Sequence, residues 1–106
     1  KTETNIEGLP LKTIATGLTG KYIHSTNMTI GFVNLEVDAI IPAHQHIHEQ
    51  ITWVEQGVLE LSFNNQTYTL HKGDFVIIPS NIIHQGKAIT ACKVIDTFYP
   101  MREDLK

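Results

Sequence analysis

The segment Pro42 to Gly57, PAHQHIHEQITWVEQG, carries three of the chain's six histidines at alternate positions, His44, His46 and His48, followed at once by Glu49 and Gln50. On a β-strand, residues i and i+2 point to one face about 6.6 Å apart, so the imidazoles of His44 and His46 can converge on one metal ion. Gln50 has the same parity, but a straight strand would leave it about 20 Å from His44, too far for shared coordination. A bend over residues 47–49 is therefore required, with the two histidines ending one strand and Gln50 opening the next. A fourth donor is offered by GDFVIIPSNIIHQG, where His84 follows the Pro79 corner as a strand re-enters the sheet. The expected centre is three imidazoles and one amide oxygen around one divalent transition metal.

The elements that must position these groups read as short strands punctuated by turn residues, with no convincing 3.6-residue period. Strands are expected near 11–16, 21–24, 28–37, 43–46, 50–56, 58–63, 66–70, 74–78, 84–88 and 91–98. Asn64-Asn65 lies between VLELSF and QTYTL, and asparagine tolerates the positive φ of a two-residue hairpin. Leu59, Leu61 and Phe63 share one face of their strand and should pack, while Glu60 and Ser62 face the wetter side. Ten short strands in one domain imply an all-β, antiparallel barrel or jelly roll with little or no helix.

Composition agrees with that class. The chain has 106 residues, 42% of them hydrophobic and 18% charged, which is enough for one real core. No apolar run approaches the ~18–20 residues of a membrane span, so a soluble protein is expected. The net charge of −3, without a Lys/Arg cluster, argues against nucleic acid. A single cysteine, Cys92, excludes an internal disulfide and suits a cytoplasmic location. The chain starts at Lys1 without a signal core, which points to a trimmed native start. Residues 1–8 are read as a loose arm.

The two histidine segments together resemble the cupin superfamily, whose motifs are G-x5-H-x-H-x3-4-E-x6-G and G-x5-P-x-G-x2-H-x3-N. Here the first reads Asp38, His44, His46, Gln50, Gly57 and the second Gly73, Pro79, Asn81, His84, Ala88, with every spacing kept. Asp38 and Asn81 stand where the family has turn glycines, Ala88 replaces Asn, and Gln50 replaces the acidic ligand. The resemblance covers about residues 28–102 and implies a single cupin domain over 1–106. A lone histidine in a strand is ordinarily packing or surface; four donors at motif spacing favour a metal. His24 and His71 lack partners at ligand spacing and are assigned to structure or surface. Trp53 is expected in the core or at a subunit contact, and Glu49 and Glu55 in solvent.

An amide in place of the carboxylate leaves the ion's double charge unneutralised by protein, which favours anionic oxygen ligands. Nickel, iron, zinc, manganese and copper all suit this donor set. In CKVIDTFYPMRED, Asp96 and Phe98 share a face with Cys92 and Val94, and Arg102 follows Pro100. If that face looks inward, Asp96 can shuttle a proton, Phe98 can flank a sugar ring and Arg102 can grip a carboxylate. His48, in the bend, is open to hydrogen bonding, solvent, coordination or proton transfer, and is grouped with the substrate-contacting residues.

The set D-x-F-x3-R-E-D beside H-x-H-x-H-E-Q looks like the KdgF-type pectin-degradation cupins. That resemblance implies opening of 4,5-unsaturated monouronates to linear keto forms, with Asp96 as acid/base and Arg102 as carboxylate anchor. Two other readings stand beside it: an iron-dependent dioxygenase, and a non-catalytic sugar or metabolite binder. A homodimer is expected, with LPLKTIAT adding a strand to a neighbour's sheet.

Overall fold

A computed structural model describes residues 4–106. Ten strands form: β1 (Lys12–Ala15), β2 (Leu18–His24), β3 (Thr29–Leu35), β4 (Ile40–His44), β5 (Glu49–Gln56), β6 (Leu59–Phe63), β7 (Gln66–Leu70), β8 (Phe75–Ile78), β9 (His84–Ala88) and β10 (Cys92–Tyr99). They make a six-stranded sheet ordered β1-β2-β3-β10-β5-β8 and a four-stranded sheet ordered β4-β9-β6-β7, with every pairing antiparallel. The expected all-β jelly roll is the observed fold. Short 3-10 turns at Ile6–Gly8 and Glu103–Leu105 are the helical segments among the described residues.

The core lies between the sheets and follows the period-two pattern. Leu59, Leu61 and Phe63 of β6 are buried, as are Val54, Val76, Ile78 and Val94 from the larger sheet. Asn64 and Asn65 take φ of 53° and 60°, which makes the β6–β7 turn the tight hairpin expected. Asp38 and Asn81, standing at family glycine positions, have φ of 67° and 61°, so the turns keep the left-handed backbone without glycine.

One expectation needs correction and two are narrowed. β4 covers Ile40–His44 rather than 43–46, leaving His46 in the following loop; Pro42, which cannot donate to the ladder, lies within the strand where the pairing is irregular. The register slips there: Ile41 pairs with Gly86 and His44 with His84, one extra residue on β4. Of the two places expected for Trp53, the core is excluded and a subunit contact stays open. On β5, Gln50, Thr52 and Val54 take the inward parity, so Trp53 faces outward and is 39% exposed. Of the arm expected over residues 1–8, residues 1–3 lie outside the described residues. Beyond them the Asn5 side chain caps the Ile6–Gly8 turn, and Lys21 Nζ donates to the carbonyls of Ile6 and Glu7.

Strand register decides which side chains share the interior. Tyr22, Gly31, Asp96, Thr52 and Val76 form one crosswise row of the larger sheet, and His24, Thr29, Phe98, Gln50 and Ile78 the next. Gly31 makes the first row possible. A Cβ there would sit 2.6 Å from Tyr22 Cε1, so the tyrosine ring lies across the space glycine leaves open.

Candidate metal centre

The β4 bulge and the bend after it bring three histidines to one point. The chain bends at Ile47 and His48, as the spacing required, and Asn81 N–H donates to the His46 carbonyl at 2.8 Å, tying the two motif loops together. His44 and His84 are cross-strand partners with ring centroids 4.2 Å apart, and His46 lies 5.5 Å from His44 and 5.0 Å from His84. One ring nitrogen from each falls within 4.8 Å of the other two.

Backbone carbonyls set the tautomers. Nδ1 of His44 donates to Pro42 O at 2.7 Å, Nδ1 of His46 to His48 O at 3.0 Å, and Nδ1 of His84 to Ile82 O at 2.9 Å. A carbonyl only accepts, so each Nδ1 carries the hydrogen and each Nε2 keeps its lone pair, the form that ligates metal. His84 Nε2 is buried with no hydrogen-bond partner, which is costly for an imidazole unless something electrophilic meets it.

Gln50 lies beside the three histidines. It is buried, and its Nε2 donates to Thr52 Oγ1 at 2.8 Å and reaches Asp96 Oδ1 at 3.4 Å. Its Oε1 therefore faces His46 Nε2, at 3.1 Å. Two acceptors confront each other with no proton between them, an arrangement that a cation resolves. The residues present fit a divalent ion. Burial, with help from Arg102, His84 and His44, pulls the His46 pKa down to about 4 against the opposing bond from the His48 carbonyl. His84 is lowered chiefly by burial as well. Both rings are neutral at neutral pH, so a metal meets no proton to displace from either.

The centre opens into a cavity of about 110 Å³, whose wall includes Tyr22, Thr52, Asp96, Phe98, Arg102 and Leu105. Thr52 donates to Asp96 Oδ1 at 2.6 Å. Burial nevertheless pushes the Asp96 carboxyl up to about 6, with Thr52, Gln50, Arg102 and His44 opposing. The Tyr22 phenol is raised to about 12 by burial and then by Asp96.

A protein-family model described as a cupin domain matches residues 31–98. This chain belongs to the cupin family. Its fold superposes on KdgF from Halomonas sp. with a TM-score of 0.90 at 26% identity, covering 100% of this chain and 99% of that one. An RmlC-like cupin from Shewanella frigidimarina gives a TM-score of 0.91 at 23% identity, with 100% and 96% covered. A variant of salicylate 1,2-dioxygenase from Pseudoaminobacter salicylatoxidans gives 0.78 at 20% identity, over 88% of this chain and 29% of that one. Comparison with curated protein sequences gives no match.

In this cupin the remaining residues singled out from sequence gather at the same mouth. Arg102 lies over the Phe98 ring, 4.6 Å from its centroid, and forks onto Asp104 with Nε–Oδ1 at 2.9 Å and Nη2–Oδ2 at 2.8 Å. Phe98 presents its edge to His46 and His48 at 5.8 and 6.4 Å, so one face carries Arg102 and is not free to flank a ring. His48 is half-buried, and its Nδ1 has no partner. His71 is exposed beside Asp74, whereas His24 has a structural role. Thr29 Oγ1 accepts from Arg102 N–H at 2.9 Å and donates to His24 Nδ1 at 2.8 Å; His24 Nε2 then donates to Leu105 O at 3.3 Å. This relay pins the tail that carries Arg102. Tyr22, Thr29 and Thr52 were not singled out from sequence, and Asp104 entered only as the end of the D-x-F-x3-R-E-D set. For Thr52 the signal existed, since it follows Gln50 by two residues on an inward face.

Proposed function

We propose that this cupin holds one divalent transition ion through His44, His46, His84 and Gln50 and acts on a small carboxylate-bearing sugar, opening 4,5-unsaturated monouronates to their linear keto forms. The observation that carries this reading is Arg102, which lines one cavity with His44, His84, Gln50 and Asp96 and already clasps a carboxylate, that of Asp104. The likeness to KdgF over the whole chain supports the substrate class. When bound, the ion supplies Lewis-acid polarisation of substrate oxygen. Arg102 anchors the sugar carboxylate as a bidentate fork. Asp96, whose carboxyl burial raises to about 6 in the metal-free chain, is the acid/base: it protonates the enol carbon and recovers a proton from the enol oxygen, leaving the ketone. Phe98 sets the Arg102 plane, His48 contacts substrate at the rim, and the apolar cavity floor keeps bulk water from the enol.

The test is to incubate metal-loaded protein with 4,5-unsaturated uronates and follow the ultraviolet absorbance of the double bond, with and without air. Faster loss in both atmospheres is expected. Decay matching protein-free buffer rejects catalysis, and loss only in air selects the dioxygenase reading.

Because Asp104 occupies the Arg102 fork, a substrate carboxylate has to displace it. Asp104→Asn is expected to lower KM by about 2- to 5-fold with kcat little changed, the scale of an exposed ion pair. A raised KM would show instead that Asp104 orients Arg102.

Assembly as a homodimer and a cytoplasmic location complete the proposal. β1 pairs with its own β2, so strand exchange is not needed to satisfy it. The outer face of the six-stranded sheet exposes Ile23, Ile51, Trp53, Phe75 and Ile77, where a solvated antiparallel sheet would carry polar side chains. Light scattering should give about 24 kDa, twice the 11.9 kDa chain; a mass near 12 kDa would rule the dimer out. Cys92 is buried with its thiol pKa raised by burial, in keeping with a reducing compartment, and no helix among the described residues is long and apolar enough to cross a membrane.

A further inference from the structure

We propose that Thr52 is a positioning residue that decides which end of the Gln50 amide faces the metal. The inference rests on the reading of Gln50 as a ligand. A carboxylate at that position would offer oxygen in either orientation, but a carboxamide has one oxygen and one NH₂, and an NH₂ turned toward a cation repels it. An amide ligand therefore needs a device to fix its direction.

The larger sheet supplies one through register. Thr52 and Asp96 are cross-strand partners on β5 and β10, both on the inward face, and Gln50 stands two residues before Thr52 on the same face. The Asp96 carboxylate takes the Thr52 hydroxyl hydrogen at 2.6 Å. With its hydrogen committed, Thr52 Oγ1 has only lone pairs left, and Gln50 Nε2 donates to them at 2.8 Å. The flipped amide would set Gln50 Oε1 against that oxygen with no proton between them. The polarity of the chain thus runs one way, and Oε1 is delivered to the side where His46 Nε2 stands, 3.1 Å away. Valine at position 52 has nearly the same shape and removes the hydroxyl. Gln50 Nε2 would then keep only the longer 3.4 Å contact with Asp96 Oδ1, and the amide orientation would be held far more weakly.

The experiment measures nickel and zinc affinity by competition with a chromogenic chelator, on proteins shown to be folded by circular dichroism. Thr52→Val should bind about 10- to 100-fold more weakly than the unaltered chain, the range seen when a group orienting a metal ligand is removed. Thr52→Ser should stay within about 3-fold, because it restores the donor and acceptor. The decisive arm repeats Thr52→Val in a Gln50→Glu background, where either end of the side chain is oxygen and the loss should shrink to less than about 3-fold. Equal affinity for Thr52→Val and the unaltered chain overturns the inference and leaves the metal site standing. An equal loss in both backgrounds overturns it too, since Thr52 would then act through packing or through Asp96 alone. Failure of the unaltered chain to bind either ion overturns the ligand reading and this inference together.

Discussion

Nickel or zinc is expected to bind the His84→Ala variant more than about 100-fold more weakly than the unaltered chain, a larger loss than removing a supporting group produces. His84 is the most enclosed of the three imidazoles, 2% exposed, and its Nε2 has no protein partner. It opens β9 opposite the β4 bulge, and the Asn81 N–H ties the preceding corner to the His46 carbonyl, so its place is fixed by backbone contacts. The effect of the variant on the metal-free fold should be small by comparison. Truncating a buried ring costs packing, but it also removes a buried nitrogen whose unmet hydrogen bond costs about 1–3 kcal/mol. Thermal melts separate the two contributions. A ligand at a hundred times its Kd adds about 2.7 kcal/mol to the native state, and the corresponding rise in Tm should vanish in His84→Ala. Retention of that rise would mean the ion sits elsewhere, and the three-imidazole centre would be wrong.

The sequence reaches furthest where periodicity and spacing are local. All ten strands were legible because each is a short alternating run closed by turn residues; Asn64 and Asn65 were legible as a turn because asparagine tolerates left-handed backbone, while Asp38 and Asn81 were marked by standing at the family's turn-glycine positions. The bend that brings Gln50 to the histidines followed from distance alone. What stayed hidden depends on register between strands far apart in the chain. The bulge that moves His46 off β4 needs the pairing of β4 with β9, and the link from Thr52 to Asp96 needs the pairing of β5 with β10. Asp104 stands in the D-x-F-x3-R-E-D set without a role of its own, because its contact with the guanidinium exists only once the 3-10 turn folds it back onto Arg102. Trp53 shows the limit of composition: a large aromatic suits a core or a subunit contact alike, and only the parity fixed by Gln50 and Thr52 turns it outward.

Asp96→Asn separates a residue kept for chemistry from one kept for the fold, because the two roles predict opposite changes in stability. The Asp96 pKa lies near 6 in the folded chain and at 3.8 in the reference state, so the native state binds this proton more tightly. Stability from that preference is fully present below pH 3.8 and is lost as pH rises through 6; above it, the chain holds a buried carboxylate at a cost of roughly 2–3 kcal/mol. Asparagine keeps an oxygen to accept from Thr52 and carries no charge. The metal-free variant should therefore unfold at higher denaturant concentration than the unaltered chain at pH 8, with the difference disappearing toward pH 4. Turnover of the unsaturated uronate should move the other way, falling by about 10²- to 10⁴-fold with metal affinity maintained, since the proton donor is gone while the donor set is not. A structural aspartate would lose stability at pH 8 when replaced, and its rate would fall only as far as folding did. Gain of stability together with loss of rate is the signature of a carboxyl held in an unfavourable place for its chemistry, and a less stable Asp96→Asn with unchanged turnover would strike Asp96 from the acid/base role.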